Sequence, residues 1–196
     1  MGDCYLNDLK ISSIQGYPYN DSIPYFPAFI VRENQATTTD IDDVLQKIYS
    51  SVLYSAQEPI LYNYYLGISV YRFTWLRTFH KKIILSFSRN NTSINLTTIQ
   101  LEFSGSGKGD AVVLSDETKP LTVQDWEEFE RLLHAYSFWS AKPCIDDQPA
   151  RDGSSWIIEA HVEDRYWFVN RWSPDVDFSK AGEFLIAKSG LDEIIY

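Results

Sequence analysis

The chain has 196 residues, 44% hydrophobic and 15% aromatic, and carries a net charge of −10 from 27 acidic and 17 basic side chains. Six Trp, thirteen Tyr and eleven Phe supply enough apolar area for a full core and exclude global disorder. The charge disfavours nucleic acid and anionic membrane surfaces as partners and favours a basic protein, with plain solubility as the simpler meaning.

Residues 1–38 read as an irregular segment in which Tyr17-Pro18, Ile23-Pro24 and Phe26-Pro27 hold the backbone extended. Its aromatics point to packing on the domain, with a ligand motif for an SH3-type domain as the alternative. Residues 39–196 read as a single α+β domain. A helix begins near Thr39, with Asp40, Asp42 and Asp43 suiting its N-terminal dipole, and stops before Pro59. Ile41, Val44, Leu45, Ile48, Val52 and Leu53 form its apolar face.

Strand-forming runs follow at Tyr62–Trp75, Ile83–Ser88 and Ile94–Phe103, with a short strand at Ala111–Leu114. Arg89-Asn90-Asn91 and the glycines at 105, 107 and 109 break them. Thr122 caps a second helix, with Asp125 completing a variant capping box and Trp126, Phe129, Leu132, Leu133 and Tyr136 along one side. A tryptophan-rich hairpin joins Trp156–His161 to Tyr166–Trp172 through Glu163 and Asp164. A last helix runs from Asp177 or Phe178 to Lys188, burying Phe178, Ala181, Leu185 and Ile186, and Gly190 ends it. The order lacks βαβ alternation, so the expected fold is α+β, an antiparallel sheet with helices packed mainly on one face.

Few chemical motifs appear. Gly105-Ser106-Gly107-Lys108-Gly109 lacks both the spacing and the hydroxyl residue of a phosphate loop and reads as a flexible connection. Cys4 and Cys144 form no disulfide framework or zinc spacing, and His80, His134 and His161 belong to no nucleophile or metalloprotease signature. No cofactor or metal is expected. Asp146-Asp147 and Asp192-Glu193 read as solvated charges. No apolar run suits a transmembrane helix or a signal sequence, so a cytoplasmic location is the simplest expectation. The alternative is an exported or lipid-anchored structural protein whose signal Met1-Gly2 replaces, although Asp3 beside Cys4 does not suit lipid attachment.

One constellation has geometric content. If Val162 pairs with Arg165, then His161 opposes Tyr166, Glu159 opposes Phe168 and Ile157 opposes Asn170 on one side of the hairpin. Trp156, Ile158, Ala160, Trp167 and Val169 take the other side as the core face. Glu159, His161, Tyr166 and Asn170 then share a semi-polar face, which either holds a ligand or partner or, the simpler reading, makes ordinary cross-strand hydrogen bonds under a helix. Arg72, Arg77 and Arg171 stand among aromatics, where cation–π stacking or a carboxylate partner is expected. Arg171 is expected to be mainly structural, reaching Glu159 or Asp152.

The segment Tyr71-Arg72-Phe73-Thr74-Trp75-Leu76-Arg77-Thr78-Phe79, then Phe138-Trp139, then Asp152-Gly153-Ser154-Ser155-Trp156 with Glu159, then Arg171-Trp172-Ser173-Pro174 resembles a family of small uncharacterised bacterial proteins. The resemblance spans roughly residues 65–191 and implies no activity. The chain departs from the family pattern at residues 105–109, where a Gly-Gly-Tyr turn is expected.

The reading is a non-catalytic protein-binding module, specifically a bacterial immunity protein that neutralises a cognate toxin, with aromatics as anchors and acids steering a basic partner. Its expected surface combines Glu159, His161, Tyr166 and Asn170 with Gly107 and Lys108. Asp146 and Asp147 form a competing surface. The enzymatic alternative is a small hydrolase or ligand-binding domain with Glu159 as base and His161 as proton carrier, which needs an open cleft over that face.

Overall fold

Alternating apolar residues through the middle of the chain pair into one six-stranded antiparallel sheet, as the computed structural model of the protein shows. It describes residues 24–27, 40–62, 66–103, 111–144 and 153–195, without the side chains of 40–43. The elements are α1 (Asp40–Ser55), β1 (Ser69–Arg77), β2 (Lys82–Arg89), β3 (Ile94–Phe103), β4 (Ala111–Pro120), α2 (Val123–Ala135), β5 (Ser154–Val162), β6 (Arg165–Trp172) and α3 (Val176–Ser189). Strand order is β4-β3-β2-β1-β5-β6, so the hairpin β5–β6 adds to the free side of β1.

The expected α+β class is what the chain adopts. Two boundaries differ from the sequence reading. The first strand begins at Ser69 rather than Tyr62, and β4 continues past Leu114 to Pro120. The polar stretch Ser115–Lys119 has little strand propensity of its own, but its pairing with residues 96–100 of β3 satisfies the backbone.

Both faces of the sheet are packed. On one, Tyr71, Phe73, Trp75, Leu85, Phe87, Trp156 and Ile158 meet α2 through Trp126, Phe129 and Leu133, and α3 through Phe178, Ala181 and Leu185. Ring pairs such as Phe87–Trp126 at 4.9 Å and Trp75–Trp156 at 5.2 Å fill it, each adding about 0.5–1.5 kcal/mol beyond area burial. The Ser154 Oγ accepts from Nε1 of both Trp75 and Trp156, at 2.9 and 3.0 Å, so two indole donors are buried at no hydrogen-bond cost.

On the opposite face, Val70, Ile84, Ile99, Ile157 and Phe168 meet Tyr49, Val52 and Leu53 of α1, Ile60 and Leu61 beyond it, and Tyr25 and Phe26. The helices therefore do not share one face: α2 and α3 cover the first core, and α1 covers the second. The apolar side of α1 is also turned from the expected one. Tyr49 is buried, whereas Val44 and Ile48 are 53% and 38% exposed.

Helix termini follow local chemistry. Thr122 and Asp125 form the reciprocal capping box, and the Asp175 carboxylate accepts from Asp177 N–H and Phe178 N–H to start α3. Gly190, at φ 81°, ends α3 in the left-handed region.

Candidate functional site

The hairpin register is the expected one: Val162 opposes Arg165, His161 opposes Tyr166, Glu159 opposes Phe168 and Ile157 opposes Asn170. A two-residue turn at Glu163–Asp164, with Glu163 at φ 56°, sets that register. The expected core face is also the observed one, since Trp156, Ile158, Ala160 and Val169 are buried in the first core and Trp167 packs against it.

The semi-polar face is not open. Glu159 is 0% exposed, His161 1% and Tyr166 5%, and only Asn170 is half-buried. The reason is that their apolar neighbours Ile157 and Phe168 demand a cover, which α1 and residues 58–61 supply. Of the two readings of this face the structure shows hydrogen bonding under a helix, and the face is a second core with a polar centre. Gly107, Lys108, Asp146 and Asp147, the remaining expected site residues, lie outside the described residues.

That polar centre is built on Arg72, which opposes Glu159 across β1 and β5 and is fully buried. Its Nε and Nη2 donate to Glu159 Oε2 at 2.7 and 2.5 Å, and its Nη1 donates to the Pro59 carbonyl at 2.7 Å. Tyr166 O–H donates to the other Glu159 oxygen at 2.9 Å. A second carboxylate, Glu58, lies 3.4 Å from Arg72 Nη1 and accepts from Ser86 Oγ at 2.8 Å. Burial raises the Glu159 carboxyl above its ordinary range, and the Arg72 guanidinium opposes that rise. His161 is held down by burial, and its Nδ1–H donates to the Leu61 carbonyl at 2.8 Å.

These bonds are all internal. They pin residues 58–61 to the sheet and give a general base and proton carrier no substrate to reach, so the hydrolase reading lacks the open face it requires. Arg171 does not reach Glu159, and Asp152, its other expected partner, lies outside the described residues. Arg171 donates to Tyr136 Oη at 3.0 Å and to the Lys142 carbonyl at 2.8 Å, tying β6 to the segment after α2. Arg77 stacks over Trp75 at 4.4 Å, the expected cation–π contact.

An open concavity lies elsewhere among the described residues. At one end of the sheet, where β1 starts, β2 ends and β5 turns into β6, a cleft of about 470 Å³ opens beside α2. Trp126 forms its floor, packed on Tyr71 and Phe87 at 5.0 and 4.9 Å. Glu130 projects from α2 and accepts from Tyr71 O–H at 3.0 Å. Glu163 and Asp164 stand exposed at the hairpin turn, and exposed Arg89 lies opposite, 5.8 Å from the Trp126 ring. Its lining carries three carboxylates against one guanidinium, and with Arg165, next to Asp164 and close enough to act on Tyr71, the local balance is still negative.

Sequence reasoning placed Glu163 and Asp164 in a turn and Trp126 in the core but did not join them. Their link is tertiary, created when α2 crosses the sheet beside the hairpin tip. Arg72 carried a better signal, because a guanidinium inside an apolar strand needs a buried counter-charge.

No protein-family model matches the chain, and no curated protein matches it. Among the described residues, no group of His, Cys, Asp and Glu is placed to hold a metal ion, and no helix is long and apolar enough to cross a membrane.

Proposed function

We propose that the chain is a non-catalytic protein-binding module for a basic partner, in the manner of an immunity protein that neutralises a toxin. The cleft at the sheet end receives a lysine or arginine side chain of that partner. The observation that carries this reading is the trio Glu130, Glu163 and Asp164 around an open concavity of about 470 Å³, in a chain of net charge −10. Steering by such a field raises association rates, and charge complementarity selects the partner. The burial of Glu159 and His161 within the second core favours binding over catalysis at the hairpin.

The test is co-expression with the product of the gene immediately upstream. Rescue of growth by the chain, with direct binding of the two purified proteins, is the expected result. An upstream product that neither binds the chain nor harms cells in a way the chain relieves contradicts the reading.

A further inference from the structure

The two edges of the sheet are treated differently. The outer edge of β6 is closed by residues 141–143: Asn170 N–H donates to the Pro143 carbonyl at 2.6 Å, and Trp167 Nε1 donates to the Ala141 carbonyl at 3.2 Å. Among the described residues no backbone group outside β3 bonds to β4, although α1 packs beside it on one face. The strand is exposed over most of its length, and Val112, Val113 and Leu114 are 54%, 40% and 47% exposed. An uncovered edge is a template for another strand, and the charges of Asp116, Glu117 and Lys119, Pro120 and the bulge at Leu114 blunt this one against indiscriminate pairing, so only a register that satisfies them is open to it.

The backbone fixes which groups of β4 point outward. Leu121 N–H bonds the Ile94 carbonyl of β3 at 2.9 Å, so by alternation Glu117 and Lys119 also face β3. Asp116, Thr118 and Pro120 therefore turn their backbone outward, and proline, having no donor, is at home on that side.

We propose that this edge pairs with the same edge of a second copy, two β4 strands running antiparallel about a two-fold axis at Thr118. A strand that meets itself this way must set one residue opposite its own copy, since only positions with matching backbone direction can pair. Centres on Asp116, Glu117 or Lys119 oppose like charges. A centre on Ser115 sets Leu114 and Val113 against Asp116 and Glu117, and the bulge at Leu114 interrupts the ladder beyond it. A centre on Thr118 opposes threonine to threonine and sets Glu117 of each copy against Lys119 of the other. Thr118 exchanges N–H···O bonds with its copy, and Asp116 N–H reaches the Pro120 carbonyl. Val112–Leu114 then run alongside the start of α2 in the second copy, where Val123 is 46% exposed. This surface is separate from the acid-rimmed cleft, and the proposal does not depend on it.

Sedimentation velocity on the full chain across a concentration series tests it. A species of twice 22.7 kDa is expected. Glu117→Lys and Lys119→Glu should each weaken self-association roughly tenfold, since two symmetric pairs turn repulsive, and the double exchange should restore it. Thr118→Pro removes the outward backbone donor and, within the chain, the exposed Thr97–Thr118 hydroxyl contact at 2.9 Å. It should therefore abolish the dimer while the far-UV circular dichroism persists, with Thr118→Val as the control that loses the hydroxyl contact alone and keeps the dimer. A chain monomeric at its highest soluble concentration overturns the proposal. So does a dimer indifferent to Thr118→Pro, or one that the double exchange fails to restore.

Discussion

Arg72, Glu159 and Glu58 place three ionisable side chains between a sheet and its cover. The arrangement holds because each charge finds hydrogen bonds as well as a counter-charge, from Tyr166, Ser86 and the Pro59 carbonyl. Removing the cation alone leaves two carboxylates facing each other in the core. Arg72→Met is therefore expected to cost about 3–5 kcal/mol of unfolding free energy, the range for breaking a buried pair, measured by urea denaturation. His161 and Glu159 pull the pH dependence in opposite directions. Burial lowers His161 from 6.5, so the unfolded chain binds its proton first. Its contribution is complete above 6.5 and is lost as pH falls through the folded value. Glu159 is raised from 4.5, so its contribution is complete below 4.5 and is lost as pH rises through its folded value. His161→Gln should flatten the loss of stability on acidification below pH 6.5, read from urea midpoints across that range. An unchanged pH profile would remove His161 as its source. At this scale the sequence was informative: Glu159, His161 and Tyr166 were correctly set on one face of the hairpin. Of the two readings of that face, a ligand site or hydrogen bonding under a helix, the structure shows the second, with an Arg72–Glu58 network that the sequence did not join to it.

At the scale of elements, local signals were legible where the chemistry was local. The Thr122–Asp125 cap, the two-residue hairpin turn and the Gly190 stop each depend on neighbours within a few residues. The side of α1 that faces the sheet depends instead on which partner it meets, and Tyr49 wins a buried place through its hydroxyl contact with Ser155 at 2.9 Å. The buried side of α3, with Phe178, Ala181, Leu185 and Ile186, was legible, but its close approach to the sheet at Gly182 was not. A methyl group at Gly182 would sit 2.4 Å from Trp156 Cζ3 and 3.0 Å from Phe73 Cζ. Alanine improves helix propensity at this position by up to about 1 kcal/mol, yet Trp156 and Phe73 are held by other rings and by Ser154. Gly182→Ala should therefore be net destabilising by about 1–3 kcal/mol, the range for overpacking. A thermal transition raised by the substitution would show that α3 has room to move.

For the whole molecule, the decisive feature is a sheet covered on both sides. β1 and β5 are adjacent inner strands, and their long buried runs leave no semi-polar face for a ligand. Alternation is a guide when one face is wet, and here the second face carries its polar groups inside a core, so the sequence pattern resembled a half-solvated strand. Openness is left to the sheet's ends and edges. The acid-rimmed cleft is one such place, assembled from α2, the hairpin tip and the strand ends, which no single stretch of sequence encodes. Binding of a basic partner through this cleft is tested most directly by stopped-flow association of the chain with the upstream gene product over a range of salt concentrations, for wild type and for the double substitution Glu163→Lys with Asp164→Lys. The account predicts a wild-type rate that falls as salt rises, and a variant slower by roughly tenfold or more at low salt with a flatter salt dependence. Equal rates and equal salt slopes for the two proteins, or no association at all, would contradict it.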